Sequence, residues 1–352
     1  MTTLATRSAD AFAPDAGRLE SAARGNRSLK IGLALMGMFV MVALLSPLLA
    51  SSQPIVCRYN GALYFPAVVD TLHNIPLIGR FAKKSPPFNY PGFDARTELD
   101  PQAFAIWTPI PYGPLDIVSA PLLPPSREHL LGTDNRGRDV AARLLHGAAV
   151  SVKVAFFSVA VAGLIGITIG AAAGYLGGWT DHILSRLIEM AICFPAFFLI
   201  LSVMVWLEPS ATNVIIVIGL TRWTSIARFA RAEFLKLRSA DFVVAARCAG
   251  NSAIRIAFRH VLPCALPPIV VTLTFAVADA ILIEAGLSWL GYGVPTPEPS
   301  WGNLLRAAYD HLQSAPFLVY PPCIAIAMSV VVFHLLGAGL RRAIGPEAAT
   351  TA

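Results

Sequence analysis

Apolar residues along this chain gather into runs long enough to cross a bilayer, and polar residues gather between those runs. Ile31 to Ala50 and Val154 to Leu176 hold no charged residue, and about 20 apolar residues in a helix cover a hydrocarbon core roughly 30 Å thick. Further runs cover 183–207, with Arg186 and Glu189 in the first turns and Pro195 as a kink, then 211–226, 261–283 and 315–340. The pattern predicts an all-α polytopic membrane protein with six transmembrane helices. Ser51 to about Ala149 contains no such run and mixes prolines, aromatics and charges. It predicts a long insert between helices 1 and 2, of irregular structure with a few strands, because each Pro blocks helix continuation.

The domain order follows: a polar tail over 1–30, a first span over 31–50, the insert over 51–149, a transmembrane domain over 150–342 containing a connecting loop at 227–260, and a tail over 343–352. A cleaved signal is the rival reading of 31–50, but its apolar core is usually only about 7 to 15 residues. At the end of the insert Gly132 and Gly137 punctuate a turn, and Asp139 is placed to cap a helix continuing through Arg143. Gly163, Gly166, Gly170 and Gly174 recur at helical spacing, which lets a neighbouring helix pack closely. Gly174 to Trp179, with Asp181, makes a tight turn.

Composition agrees with a membrane protein: of 352 residues 55% are hydrophobic and 14% charged, and mean hydropathy is +0.62. The net charge of +6 does not call for nucleic acid, because the cations sit beside the apolar runs. Arg222, Arg228, Arg231, Lys236, Arg238, Arg247, Arg255 and Arg259 crowd the stretch in and beside the loop at 227–260, against only Glu233 and Asp241. Cytoplasmic loops are enriched in Lys and Arg. Counting spans from a cytoplasmic N-terminus puts the same loop inside, and both termini with it; the long insert falls outside, where such loops translocate regardless of charge. Cys57, Cys193, Cys248, Cys264 and Cys323 show no metal-ligand spacing. None of Lys30, Lys83, Lys84, Lys153 or Lys236 stands in a phosphate-binding Gly-x-x-x-x-Gly-Lys-Ser/Thr.

Within the basic loop, residues 241–263 form the most distinctive stretch. If Asp241 caps a helix, Ala246, Ala249, Gly250 and Ala253 fall at i, i+3, i+4 and i+7, giving a face of small side chains that another body can approach closely. Arg247, Arg255 and Arg259 flank it, and Leu262-Pro263 stops or kinks the chain where the next apolar run begins. The bland reading is an alanine-rich connector.

The spacing of Ala245, Ala246, Gly250, His260, Leu262 and Pro263 resembles the EAA loop of ABC importer permeases, with Val244 where the motif has Glu. His129-Leu130-Leu131-Gly132-Thr133-Asp134-Asn135-Arg136-Gly137-Arg138-Asp139-Val140 is similar to the signature of dipeptide, oligopeptide and nickel permeases of the second-subunit type. Glu284 to Gly293, Pro299 to Asn303 and Leu335-Leu336-Gly337 resemble the same proteins, although His334, Ala338 and Gly345 depart from the pattern. The insert looks like that of the subgroup taking up larger peptides such as microcin C.

The resemblance implies a type I ABC importer permease of the cytoplasmic (inner) membrane, half of a translocation pathway for peptides, with nickel or another small solute as the alternative. It implies a homologous permease partner in a heterodimer, two ATPase subunits or domains that bind ATP and Mg, an extracytoplasmic substrate-binding protein, and no cofactor in this chain. Ala245, Ala246, Ala249, Gly250, Ala253, Arg255, Arg259, His260, Leu262 and Pro263 would couple to the ATPase. Asp279 and Glu284 are acids in a span, Glu284 at its outer end, where charge is costly and often marks a pathway; a hydrogen bond locking the span is the other reading of Glu284. An intramembrane serine protease using Ser288 and His334 lacks the Gly two residues after Ser that a nucleophile elbow needs. A secondary transporter would show internal repeats.

Overall fold

A computed structural model of the chain describes residues 26–59, 62–73 and 104–344. In chain order the elements are α1 Arg27–Leu44, α2 Ser46–Leu49, β1 Val56–Tyr59, β2 Ala62–Tyr64, α3 Pro66–His73, β3 Ala105–Ile106, α4 Val140–Leu176, α5 Gly178–Ile192, α6 Ala196–Trp206, α7 Ala211–Arg238, α8 Asp241–Cys248, α9 Ala253–Ile256, α10 Leu262–Leu290, α11 Trp301–Tyr309 and α12 Tyr320–Ile344. Most of the two expected tails, and part of the insert, lie outside the described residues.

Among the described residues four stretches are long and apolar enough to cross a membrane: Arg27–Leu44, Val140–Leu176, Ala253–Leu290 and Pro316–Ile344. The expected span over 183–207 is a pair, α5 and α6, bent by 77°. Pro195 is the N-cap residue of α6 and sits at that bend, where its missing N–H breaks the ladder. The expected span over 211–226 is the first half of α7, which runs on through Arg228, Arg231 and Lys236. The helix after the insert starts at Val140, fourteen residues before the apolar run, because Asp139 Oδ1 accepts from the Ala142 N–H at 2.8 Å and caps it.

The chain divides into two compact units. Among the described residues, one holds 26–36, 154–283 and 329–344. In it the glycine stripe of α4 lies on the backbone of α7: a Cβ on Gly166 would stand 2.7 Å from the Trp223 carbonyl oxygen, one on Gly174 2.6 Å from that of Arg231, and one on Gly170 would meet that of Ala227. The polar half of α7 is further held by Asp181 of α5, which accepts from Arg231 Nε at 2.5 Å and Nη2 at 2.8 Å. The start of α1 lies along the end of α12. Asn26 Nδ2 donates to the Gly339 carbonyl at 2.8 Å, and a Cβ on Gly32 would stand 2.8 Å from the Leu336 nitrogen. This antiparallel contact puts the N-terminal end of α1 and the C-terminal end of α12 at the same level.

The other unit holds the described residues within 37–153 and 284–328. Its described insert residues include a three-stranded antiparallel sheet in the order β2-β1-β3, with Cys57 paired to both Tyr64 and Ala105. A buried charged clamp precedes α4. Asp134 accepts from the Arg136 and Arg138 backbone N–H groups at 2.8 and 3.0 Å and from Arg138 Nε at 2.8 Å. His129 Nδ1 lies 2.9 Å from Asp139 Oδ2.

Candidate functional site

The basic loop is built on an apolar base. Phe242, Val243 and Ala246 of α8, together with Ile256 and Val261, turn inward onto Tyr175, Phe234, Leu237, Ala265 and Ile269 in one buried cluster. That burial fixes which side of the loop faces outward. Val244, Ala245, Cys248 and Ala249 are exposed on the outer side, followed by Ile254 and Phe258, 70% and 67% exposed. The cations Arg247, Arg255 and Arg259 are exposed around them, and the Arg247 guanidinium lies 5.7 Å from the centre of the Tyr175 ring.

Three local expectations are corrected. Asp241 is the first helical residue rather than the cap; Ala240 takes the cap position, with no side-chain bond. The helix also ends at Cys248, so Ala246, Ala249, Gly250 and Ala253 do not share one face. Ala246 points into the core, and Gly250 leaves the helix in the left-handed region with φ +78°. There the Gly250 N–H donates to the Arg247 carbonyl at 2.9 Å and the Asn251 N–H to the Ala246 carbonyl at 3.3 Å, a glycine-terminated end to α8. Asn251 Nδ2 adds a bond to the Ala246 carbonyl at 3.1 Å, and the Ser252 hydroxyl caps α9. Ala253 is exposed on this second short helix.

The third concerns Leu262-Pro263, expected to stop or kink the chain: the helix does not stop there. A π turn over Ala257–Val261 leads directly into α10, with Pro263 in its first turn. The first turn of a helix needs no N–H from Pro, and a wider turn accommodates the ring. Arg259 and Pro263 are exposed, and His260 and Leu262 half-buried, along this continuous path. The loop is therefore welded to α10 at one end and to α7 at the other.

The two acids of α10 occupy different settings. Glu284 is fully buried; Ser288 Oγ donates to Oε1 at 2.7 Å and Ser151 Oγ to Oε2 at 3.1 Å. The same hydroxyls then accept, Ser288 from the Val294 N–H at 3.0 Å and Ser151 from the Trp301 N–H at 3.2 Å. Glu284 thus anchors the segment that follows α10, and Ser288, its hydroxyl committed to that carboxylate, is not a free nucleophile. His334 Nδ1 lies 2.9 Å from the Val330 carbonyl on its own helix. Asp279 is half-exposed and paired with Arg222 of α7, Nη2 to Oδ2 at 2.7 Å. Sequence reading grouped Arg222 with the cytoplasmic cations and overlooked Ser151; nothing local marks either, since their partners lie 57 and 133 residues away.

Comparison with known proteins gives a family match. The model described as "Binding-protein-dependent transport system inner membrane component" matches residues 166–349. A dipeptide transport system permease protein, DppC, of Alkalihalophilus pseudofirmus is 39% identical over 63% of this chain and 73% of its own length. A putative peptide transport system permease protein of Brucella suis is 41% identical over 64% and 75%. Among solved structures, an inward-facing MetNI methionine ABC transporter aligns with a TM-score of 0.46 at 16% identity, covering 58% of this chain and 96% of that one.

Proposed function

This chain belongs to the family of binding-protein-dependent transport system inner membrane components, and from that premise we propose that it forms half of a peptide pathway driven by separate ATPase subunits. The observation that carries the reading is the outer face of the basic loop. Val244, Ala245, Cys248, Ala249, Ile254 and Phe258 are apolar or small and exposed, and they stand on a buried base joined to α7 and α10. A partner seated there can pull on two membrane helices at once. The partner is an ATPase subunit that binds ATP and Mg; the loop is cytoplasmic, and so are both termini.

The first half of α7 crosses the membrane as the fourth of six spans. A homologous permease completes the pathway as a heterodimer, and a binding protein delivers substrate at the outer face, where the insert lies. Peptides are the substrate, since the relatives named above are peptide permeases. The test is uptake of a labelled peptide into proteoliposomes holding the complex purified with this chain. Uptake requires ATP, the binding protein and a second permease chain. Uptake driven by an ion gradient without ATP, or by a complex with this chain as its sole permease, overturns the reading.

A further inference from the structure

Arg222 and Asp279 meet at a depth where a charge pair is expensive. Arg222 lies eleven residues from the start of α7 at Ala211, and Asp279 eleven residues from the end of α10 at Leu290. At 1.5 Å per residue that is about 16 Å along each helix, and both residues fall inside the expected spans over 211–226 and 261–283, where a charge is costly. The pair is not sealed in protein: the side chains are 33% and 49% exposed. Among the described residues it makes one hydrogen bond, Nη2 to Oδ2 at 2.7 Å, which leaves the second carboxylate oxygen and the other guanidinium N–H groups available. The Ser225 side chain, one helical turn beyond Arg222, is exposed as well. A half-exposed ion pair facing lipid is strongly disfavoured, and such pairs instead face the interior of a helix bundle or a water-filled cavity.

Resting on the permease reading above, we propose that Arg222 and Asp279 form a charge-exchange point in the pathway for peptides with free termini. A terminal carboxylate takes the place of Asp279 on Arg222, or a terminal ammonium the place of Arg222 on Asp279, so a charged chain end meets an opposite charge within the span. The pair is a neutral dipole to an empty pathway and a binding contact to a charged chain end. Peptides whose ends are blocked gain nothing from it.

The test uses the reconstituted complex and tri-alanine, free or blocked as the N-acetyl or C-amide form. Arg222→Gln is expected to slow uptake of the free acid at least tenfold and of the amide less than twofold; Asp279→Asn does the same for the free amine against the N-acetyl form. The binding protein's own preference enters parent and variant alike and cancels in that ratio. Equal losses for free and blocked peptides overturn the proposal and make the pair a structural lock, while ATP-dependent uptake by the parent keeps the permease reading intact. A second measurement does not depend on the charge variants folding. With the exposed native cysteines replaced by Ser, Ser225→Cys in the assembled complex is expected to react with a membrane-impermeant thiol reagent and to be protected by tri-alanine during turnover; no reaction overturns the proposal.

Discussion

At Gly250 the backbone rather than the side chain sets what the position tolerates. With φ +78° a Cβ there is strained, yet it would find no neighbour within 4 Å. Gly250→Ala is therefore expected to weaken the end of α8 by about 1–2 kcal/mol, and Gly250→Asn, which accepts left-handed geometry, by less. Thermal melting of the purified complex, read together with ATPase co-isolation, checks the order Gly, Asn, Ala; a neutral or stabilising Ala would place Gly250 inside a helix. Glu284 gives a second contrast. Glu284→Ala leaves the Ser151 and Ser288 hydroxyls facing a hole and should cost about 3 kcal/mol. Glu284→Gln keeps an acceptor and costs less, and equal melting of the two would mean the carboxylate is not the anchor. The small residues at 246, 249, 250 and 253 satisfy a helical period whether or not the helix continues, so periodicity alone could not reveal the left-handed turn that separates them.

At the scale of elements, α4 and α7 touch through their backbones, and a side chain inserted between them has nowhere to go. Gly170→Val should therefore lower the yield of assembled complex, at a cost of about 1–3 kcal/mol or more. Gly37→Ala, at a site on α1 with nothing within 4 Å, should be neutral or stabilising by roughly 0.5–1 kcal/mol. Similar yields for the two variants would contradict the contact.

The helices themselves were legible because length and apolarity mark them, and Asp139 and Pro195 gave a start and a bend through local hydrogen-bond chemistry. The pairings were not legible. Asp181 with Arg231 and Ser151 with Glu284 join residues 50 and 133 apart, and a sequence carries no local sign of which distant hydroxyl or carboxylate a side chain will meet. The three-stranded sheet was foreseen only as a few strands, since prolines exclude helix without fixing register.

Across the whole molecule, the proposed topology has the insert outside and the basic loop inside. Native Cys57 is a poor probe of the insert: it is fully buried in β1, and burial pushes its thiol pKa above the ordinary value. Less of it is thiolate at neutral pH, and reagents cannot reach it. Leu63→Cys, at a position 60% exposed on β2, is expected to react with an impermeant reagent in intact cells once exposed Cys193, Cys248 and Cys323 are replaced by Ser. Reaction only after the membrane is broken would put the insert inside.

The central claim is that the outer face of residues 241–263 receives the ATPase, and Ala245→Arg tests it most directly. Ala245 is exposed on α8, and Arg costs a helix only about 0.2 kcal/mol relative to Ala, so the chain should still fold and pair with its partner permease. The measurement is ATPase subunit co-isolated per permease chain for Ala245→Arg, beside Lys236→Ala on exposed α7 surface outside this face. The account predicts at least a tenfold loss for Ala245→Arg and none for Lys236→Ala; co-isolation by Ala245→Arg equal to the parent would contradict it.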